Sequence, residues 1–190
     1  TAGELTKATF NPETFGSNLV AMTGRAIVTA SVSTAINGGS FGEAMKQSLI
    51  KDLAAVGANA IGNKWGGGKD PVTQTLAHAG LGATVAKLNG QDAVAGAIGG
   101  ATESVLGNLV DVPVDENENY STGTRGLYTS GAMLAGGLAA YATGRDPVAA
   151  AGAAENAATN NYLSHAENQA RLKEARACAA GDMQACERRD

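Results

Sequence analysis

Apolar residues recur along this chain at intervals of three and four, the spacing that lines one face of an α-helix. Asn11-Pro12-Glu13 begins the first such stretch with a capping side chain, a first-turn proline and an acid at the positive helix end. It carries Leu19, Met22, Ile27 and Val28 to about Ile36, and Asn37-Gly38-Gly39 ends it. Ser40, with Glu43 three positions on, forms a capping box for a second helix. Met45, Leu49, Leu53, Val56, Ala60 and Ile61 make its apolar face, and Trp65 with Gly66-Gly67-Gly68 closes it. Asp70-Pro71 opens a third helix through Val72, Leu76, Leu81, Val85 and Leu88, stopped by Asn89-Gly90. Asp92 caps a fourth, with Val94, Ile98, Val105 and Leu109. Residues 111–124 are acidic, polar and aperiodic, which is the pattern of a loop or linker. A fifth helix covers Leu127 to about Ala142. Asp146-Pro147 starts a sixth that is expected to run to about Ala177. No run alternates in the manner of a strand.

These elements predict an all-α fold of packed Ala/Gly-rich helical hairpins. Helix, glycine, capping residue and helix follow one another at Ser40, Asp92 and Asp146, spaced 52 and 54 residues apart. The last two joints match best, Gly90-Gln91-Asp92-Ala93-Val94 against Gly144-Arg145-Asp146-Pro147-Val148. Three degenerate hairpin repeats account for this, as does the general similarity of helix–turn–helix joints. The expected organisation is an N-terminal set of hairpins over 1–110, the acidic linker over 111–124, a third hairpin and long helix over 125–177, and a short cysteine-bearing tail over 178–190.

Composition changes what holds such a fold together. Hydrophobic residues make up 44% of the 190, but only 4% are aromatic and glycine numbers 26, which is high for the length. Small side chains bury little area each, so stability has to come from close backbone approach. Gly96 and Gly100 form a small-xxx-small pair, and Gly131 and Gly136 are placed comparably in the fifth helix. A glycine inside a helix costs about 1 kcal/mol against alanine, and tight helix packing is the reason expected to offset it. A second reading is that these lightly built hairpins open and insert into a membrane, over residues 76–110 and 126–143. The longest uncharged stretch, 126–143, has spanning length, but its glycines and hydroxyl residues make it a poor transmembrane helix.

Net charge is −4, and the 14 Lys and Arg are dispersed. Nucleic-acid binding by phosphate neutralisation and a polybasic membrane anchor are both excluded on that ground. The chain opens Thr1-Ala2-Gly3-Glu4 without initiator Met or signal peptide, and reads as a segment of something longer.

Two stretches resemble a known family. Ser33 to Gly42 (STAINGGSFG) is similar to the haemagglutinin-like region near the C-terminus of filamentous-haemagglutinin exoproteins. Thr159-Asn160-Asn161-Tyr162-Leu163-Ser164-His165 resembles the pretoxin boundary of contact-dependent growth inhibition effectors. There a Val-Glu-Asn-Asn core is followed by Tyr-Leu-Ser; here the core reads Ala158-Thr159-Asn160-Asn161. The resemblance covers roughly residues 25–165. It implies a secreted, cell-surface parent exported by two-partner secretion, with this region between a stalk and a variable toxin. Only about 25 residues follow the boundary motif, too few for a typical toxin domain. The implied role is non-enzymatic: linking stalk to toxin and assisting export, presentation or translocation into target bacteria. The implied partners are the rest of the exoprotein with its toxin and the target-cell envelope, with no nucleic acid, no small-molecule substrate and no cofactor.

Four groups invite chemistry. An Asn amide can attack its own backbone carbonyl and cut the chain, so Asn160 and Asn161, with His165 four residues on as acid or base, form a candidate self-cleaving site. Its bland counterpart is a helix with asparagines on its polar face. Cys178 and Cys186 flank Gly181-Asp182, a helix stop that brings two short ends within bridging reach. Export through the periplasm would permit a disulfide between them, and two free thiols are the alternative. His78, inside an apolar helix, reads as a packing residue, and Asp115, Glu116 and Glu118 lack the glycine turn and terminal Glu of a calcium loop. No metal site is expected.

Overall fold

The computed structural model describes residues 15–66, 69–110, 122–160, 177, 178, 181, 183 and 184. Six α-helices occupy them: α1 (Phe15–Asn37), α2 (Phe41–Trp65), α3 (Pro71–Leu88), α4 (Ala93–Leu109), α5 (Thr122–Ala142) and α6 (Pro147–Asn160). No strand occurs among the described residues, as an all-α fold requires. α5 already begins at Thr122, so the last three positions expected in the acidic linker are helical. The remainder of that linker, 111–121, lies outside the described residues. So do the Asn11-Pro12 start and residues 161–176, over which α6 was expected to continue.

The helix ends follow from local chemistry. The Ser40 hydroxyl accepts from the Glu43 amide at 3.4 Å and the Asp70 carboxylate from the Thr73 amide at 3.0 Å, and Pro71 takes the first turn of α3. The joints before α4 and α6 are alike in detail. Gly90 and Gly144 sit at φ 72° and 70°, a left-handed conformation that closes the preceding helix. Asp92 Oδ1 accepts from the Val94 and Ala95 amides at 2.8 and 3.3 Å. Asp146 Oδ1 accepts from Val148 and Ala149 at the same two distances. The two joints lie beside each other, with Arg145 3.7 Å from Asp92.

Consecutive helices pack as pairs, and the extent of contact differs from pair to pair. α3 and α4 make the most extensive contact. α6 packs about equally on α5 and α4, each contact smaller than that of α3 with α4, whereas α1 packs substantially on α2 alone. The bundle is therefore a tight group of α3, α4, α5 and α6, flanked by α2 with α1 on its far side.

The buried stripes are made of the smallest residues, spaced by four. They run Met22, Ala26 and Ala30 on α1; Ile50, Ala54 and Ala58 on α2; Gln74, His78, Gly82 and Ala86 on α3; and Ala150, Ala154 and Ala158 on α6. The large apolar residues expected to form the faces of α3 and α4 mostly sit elsewhere. Val72, Leu76, Leu88, Val94, Val105 and Leu109 are exposed. The reason is backbone proximity. A Cβ on Gly82 would lie 2.2 Å from the Gly96 carbonyl oxygen, and one on Gly100 2.2 Å from that of His78. Helices this close leave no room between them for a leucine, so bulky residues are displaced to the flanks.

Candidate functional site

The boundary motif begins at the end of α6. Asn160 is its last residue, and its Nδ2 donates to the carbonyl oxygen and to Oδ1 of Asn156, both at 2.9 Å. The amide nitrogen that would attack in self-cleavage is thus turned back along the helix. Asn161, Tyr162, Leu163, Ser164 and His165 lie outside the described residues, and with them the expected Asn–His pair.

Asn160 lines a cleft of about 490 Å³ between the α1–α2 pair and α6, where the end of α3 also arrives. Its floor is apolar, from Ile50, Ala54, Val85 and Ala153. Its rim is polar, with Gln47 and Lys51 on one wall and Glu155, Asn156 and Thr159 on the other. At its α1 edge Arg25 grips Asp52, Nε donating to Oδ2 at 3.2 Å and a terminal nitrogen to Oδ1. Asp52 is buried and Arg25 half-buried. The sequence reading did not single out this pair or this cleft. Their residues come from four helices, and only the polar positions on otherwise apolar stretches hint at them.

A second polar group lies inside the bundle. Gln74 and His78 of α3 and Glu103 and Ser104 of α4 are almost wholly buried. The Tyr128 hydroxyl of α5 donates to Glu103 at 3.1 Å, Thr75 and Ser104 hydroxyls share a hydrogen bond at 3.2 Å, and Asn108 donates to Gln74 at 3.4 Å and to the Ser104 carbonyl at 2.8 Å. These bonds tie α3, α4 and α5 at fixed register, since each buried polar atom demands its partner. His78 is a packing residue in this seam. Tyr128→Phe is expected to cost about 1–3 kcal/mol by taking a donor from a buried carboxyl, measurable by denaturant unfolding. A loss below about 0.3 kcal/mol would show that the bond contributes no stability there.

Among the described residues, titration is displaced at two helix-capping aspartates, Asp70 and Asp92. Hydrogen bonding from the Thr73 side chain, then from its amide, holds Asp70 below the usual carboxylate value. Burial pushes Asp92 upward, but the Ala95 and Val94 amides and the Arg145 charge outweigh it and the net shift is downward. Both shifts belong to structural joints, away from the cleft. Among the described residues no group of His, Cys, Asp and Glu could hold a metal ion.

The glycines divide sharply. A Cβ on Gly96 would meet the Gly82 carbonyl oxygen at 2.3 Å, and one on Gly136 the Ala154 Cβ at 2.9 Å. Gly99, beside the Gly96–Gly100 pair, is the tightest, 2.0 Å from the Ala150 carbonyl oxygen. Gly131 faces open space. It does not mediate helix packing, because α5 buries Ala132, Gly136 and Ala140 and turns Gly131 outward. Cys178 is described, in a short helical turn, whereas Cys186 lies outside the described residues. No helix among the described residues is long and apolar enough to cross a membrane.

The paired asparagines at Asn160 and Asn161, at and just beyond the described end of α6, fit a pretoxin region, and the family matches show that this is one. The chain belongs to the family described as possible hemagglutinin (DUF637), which it matches over residues 6–100, and residues 126–165 match the pre-toxin domain with VENN motif. Curated relatives include the tRNA nuclease CdiA of Escherichia coli (strain STEC_O31), 36% identical over 113 residues, covering 52% of this chain and 3% of that protein. Toxin CdiA of Yersinia pestis is 33% identical over 130 residues, covering 68% of this chain and 4% of that protein. The chain thus spans only a few per cent of the length of these relatives. No solved structure matches it significantly.

Proposed function

We propose that this region is a non-enzymatic carrier in a secreted, surface-displayed toxin protein. It links the preceding stalk to a C-terminal toxin and assists the toxin's export, presentation or transfer into target bacteria. The observation that carries the reading is the order of the two family matches on one bundle. The haemagglutinin-like match covers α1 to α3 and the first half of α4, the pre-toxin match covers most of α5 and all of α6, and the backbone contacts of α4 with α6 join them. A force or signal reaching one part is thereby passed to the other through close packing. A carrier of this kind needs no catalytic group.

Self-processing at Asn160 or Asn161 is the weaker reading, since α6 holds Asn160 in regular helix with its amide bonded to Asn156. A bridge between Cys178 and Cys186 belongs to the carrier reading as a staple at the toxin-proximal end.

The test uses the intact parent protein with its toxin attached. Gly96→Leu, which forces α3 and α4 apart, is expected to abolish growth inhibition of co-cultured target cells, while the isolated toxin domain keeps its activity. Display of the toxin at the producer surface, read by antibody, tells whether export or later transfer has failed. Full inhibition by the Gly96→Leu protein would sink the proposal.

A further inference from the structure

The geometry points to the cleft beside Asn160 as a binding site for an extended peptide segment with small side chains, held by its backbone. Three features select that ligand. First, the rim is rich in carboxamides: Gln47, Asn89, Gln91, Asn156 and Asn160 all line it. A carboxamide offers a donor and an acceptor side by side, the same pair that every residue of an extended chain presents along its edge. Asn89 Oδ1 is buried and accepts no hydrogen bond among the described residues, and a side-chain rotation would turn it toward the cleft that Asn89 lines. A buried acceptor without a donor is costly, and a peptide N–H is the complement it lacks.

Second, the charges oppose one another. Lys51 on one wall faces Glu155 on the other, and neither forms an ion pair among the described residues, while Arg25 is matched by Asp52. A phosphate or other anion would meet Glu155 and Asp52, and a cation would meet Lys51 and Arg25. A neutral group with an alternating dipole meets neither penalty. Third, no aromatic side chain among the described residues lines the cleft, and so none of them offers the stacking surface that bases use. The floor of Ile50, Ala54, Val85 and Ala153 instead suits small apolar side chains. An extended strand turns every second side chain to one face, so alternate residues reach that floor while the backbone edges reach the two walls. The volume of about 490 Å³ lies within the range of about 300–1,000 Å³ typical of ligand sites.

This site does not depend on toxin carriage, and its test contains no toxin. The full chain, labelled with ¹⁵N, is titrated with a dodecapeptide alternating Ala and Ser. A second dodecapeptide of the same sequence carries N-methyl groups at every second residue, which delete half of its backbone donors. Saturable shifts are expected in the side-chain amide signals of Asn89, Gln91 and Asn156. Affinity for the N-methylated peptide should fall by about tenfold or more, as the loss of several hydrogen bonds requires. Lys51→Ala, an exposed substitution that leaves the melting curve unchanged, should weaken binding of the plain peptide. Leu134→Ser, on the outer face of α5, should not. Equal binding of both peptides, or no shift with either, overturns the proposal. So does a shift of the same signals by inorganic phosphate or maltohexaose where the plain peptide gives none.

Discussion

Gly99→Ala is expected to destabilise the protein by more than about 3 kcal/mol, at or above the upper end of ordinary overpacking. The added Cβ would lie 2.0 Å from the Ala150 carbonyl oxygen and within 3 Å of the carbonyl carbon and Cα of the same residue. All three are backbone atoms of α6, so no side chain can rotate away. Relief requires α4 and α6 to separate, and that would loosen the cluster of Ala95, Ala140, Ala149 and Ala150 with Ile98. For a chain of this size each kcal/mol shifts the melting temperature by roughly 2–4 °C, so a drop of about 6–12 °C or more should appear in thermal unfolding followed by circular dichroism. Gly131→Ala is the matched control. It adds the same methyl group on α5 where nothing lies within 4 Å, and should stabilise by about 0.5–1 kcal/mol through helix propensity and a less entropic unfolded chain. If both substitutions shift the melting temperature alike, close approach of α4 and α6 is not what organises the bundle.

Arg25→Ala is expected to release α1 while leaving the rest folded. Asp52 is 6% exposed, and Arg25 is the ion-pair partner it has among the described residues. Removing one partner of a fully buried pair costs about 3–5 kcal/mol; with the guanidinium half in solvent, roughly 1–3 kcal/mol is the proper expectation. That loss falls on a helix held substantially by α2 alone. Hydrogen exchange of α1 amides should therefore accelerate by about tenfold or more, at about 1.4 kcal/mol for each factor of ten. Exchange in α3 to α6 should not change. The double variant Arg25→Ala with Asp52→Ala should recover part of the protection, because no carboxylate is then left without its partner. Exchange that rises equally in all six helices would mean that α1 is not an independent unit.

The helical periodicity, the caps and the stops were legible residue by residue, since each acts over three or four positions. Ser40, Asp70 and Asp92 accept the amides that capping predicts, and Gly90 and Gly144 take the left-handed turn. The likeness of the joints at Asp92 and Asp146 could also be read, because it is written in local hydrogen bonds. Asn160 could be placed on the helix that starts at Asp146-Pro147, but its company in the cleft could not. Arg25, Lys51 and Asn89 come to it from helices that are distant in sequence.

The sequence by itself therefore determined where the helices lie, how they begin or end at Asn37-Gly38, Ser40, Asp70, Asn89-Gly90 and Asp92, and that small residues would have to hold them together; it set the start of α5 at Leu127, where the structure has Thr122. Only the tertiary structure decided which face of each helix is inside. Hydrophobic periodicity nominates the stripe with the most apolar area, but the stripe that is buried depends on how near two backbones come, and that is a property of the pair. At Gly82, Gly96, Gly99 and Gly100 the helices meet backbone to backbone. The interior accordingly takes glycine, alanine and a few polar groups that find partners across the contact. Leucines such as Leu76 and Leu134 are left outside, because there is no volume between the helices to receive them.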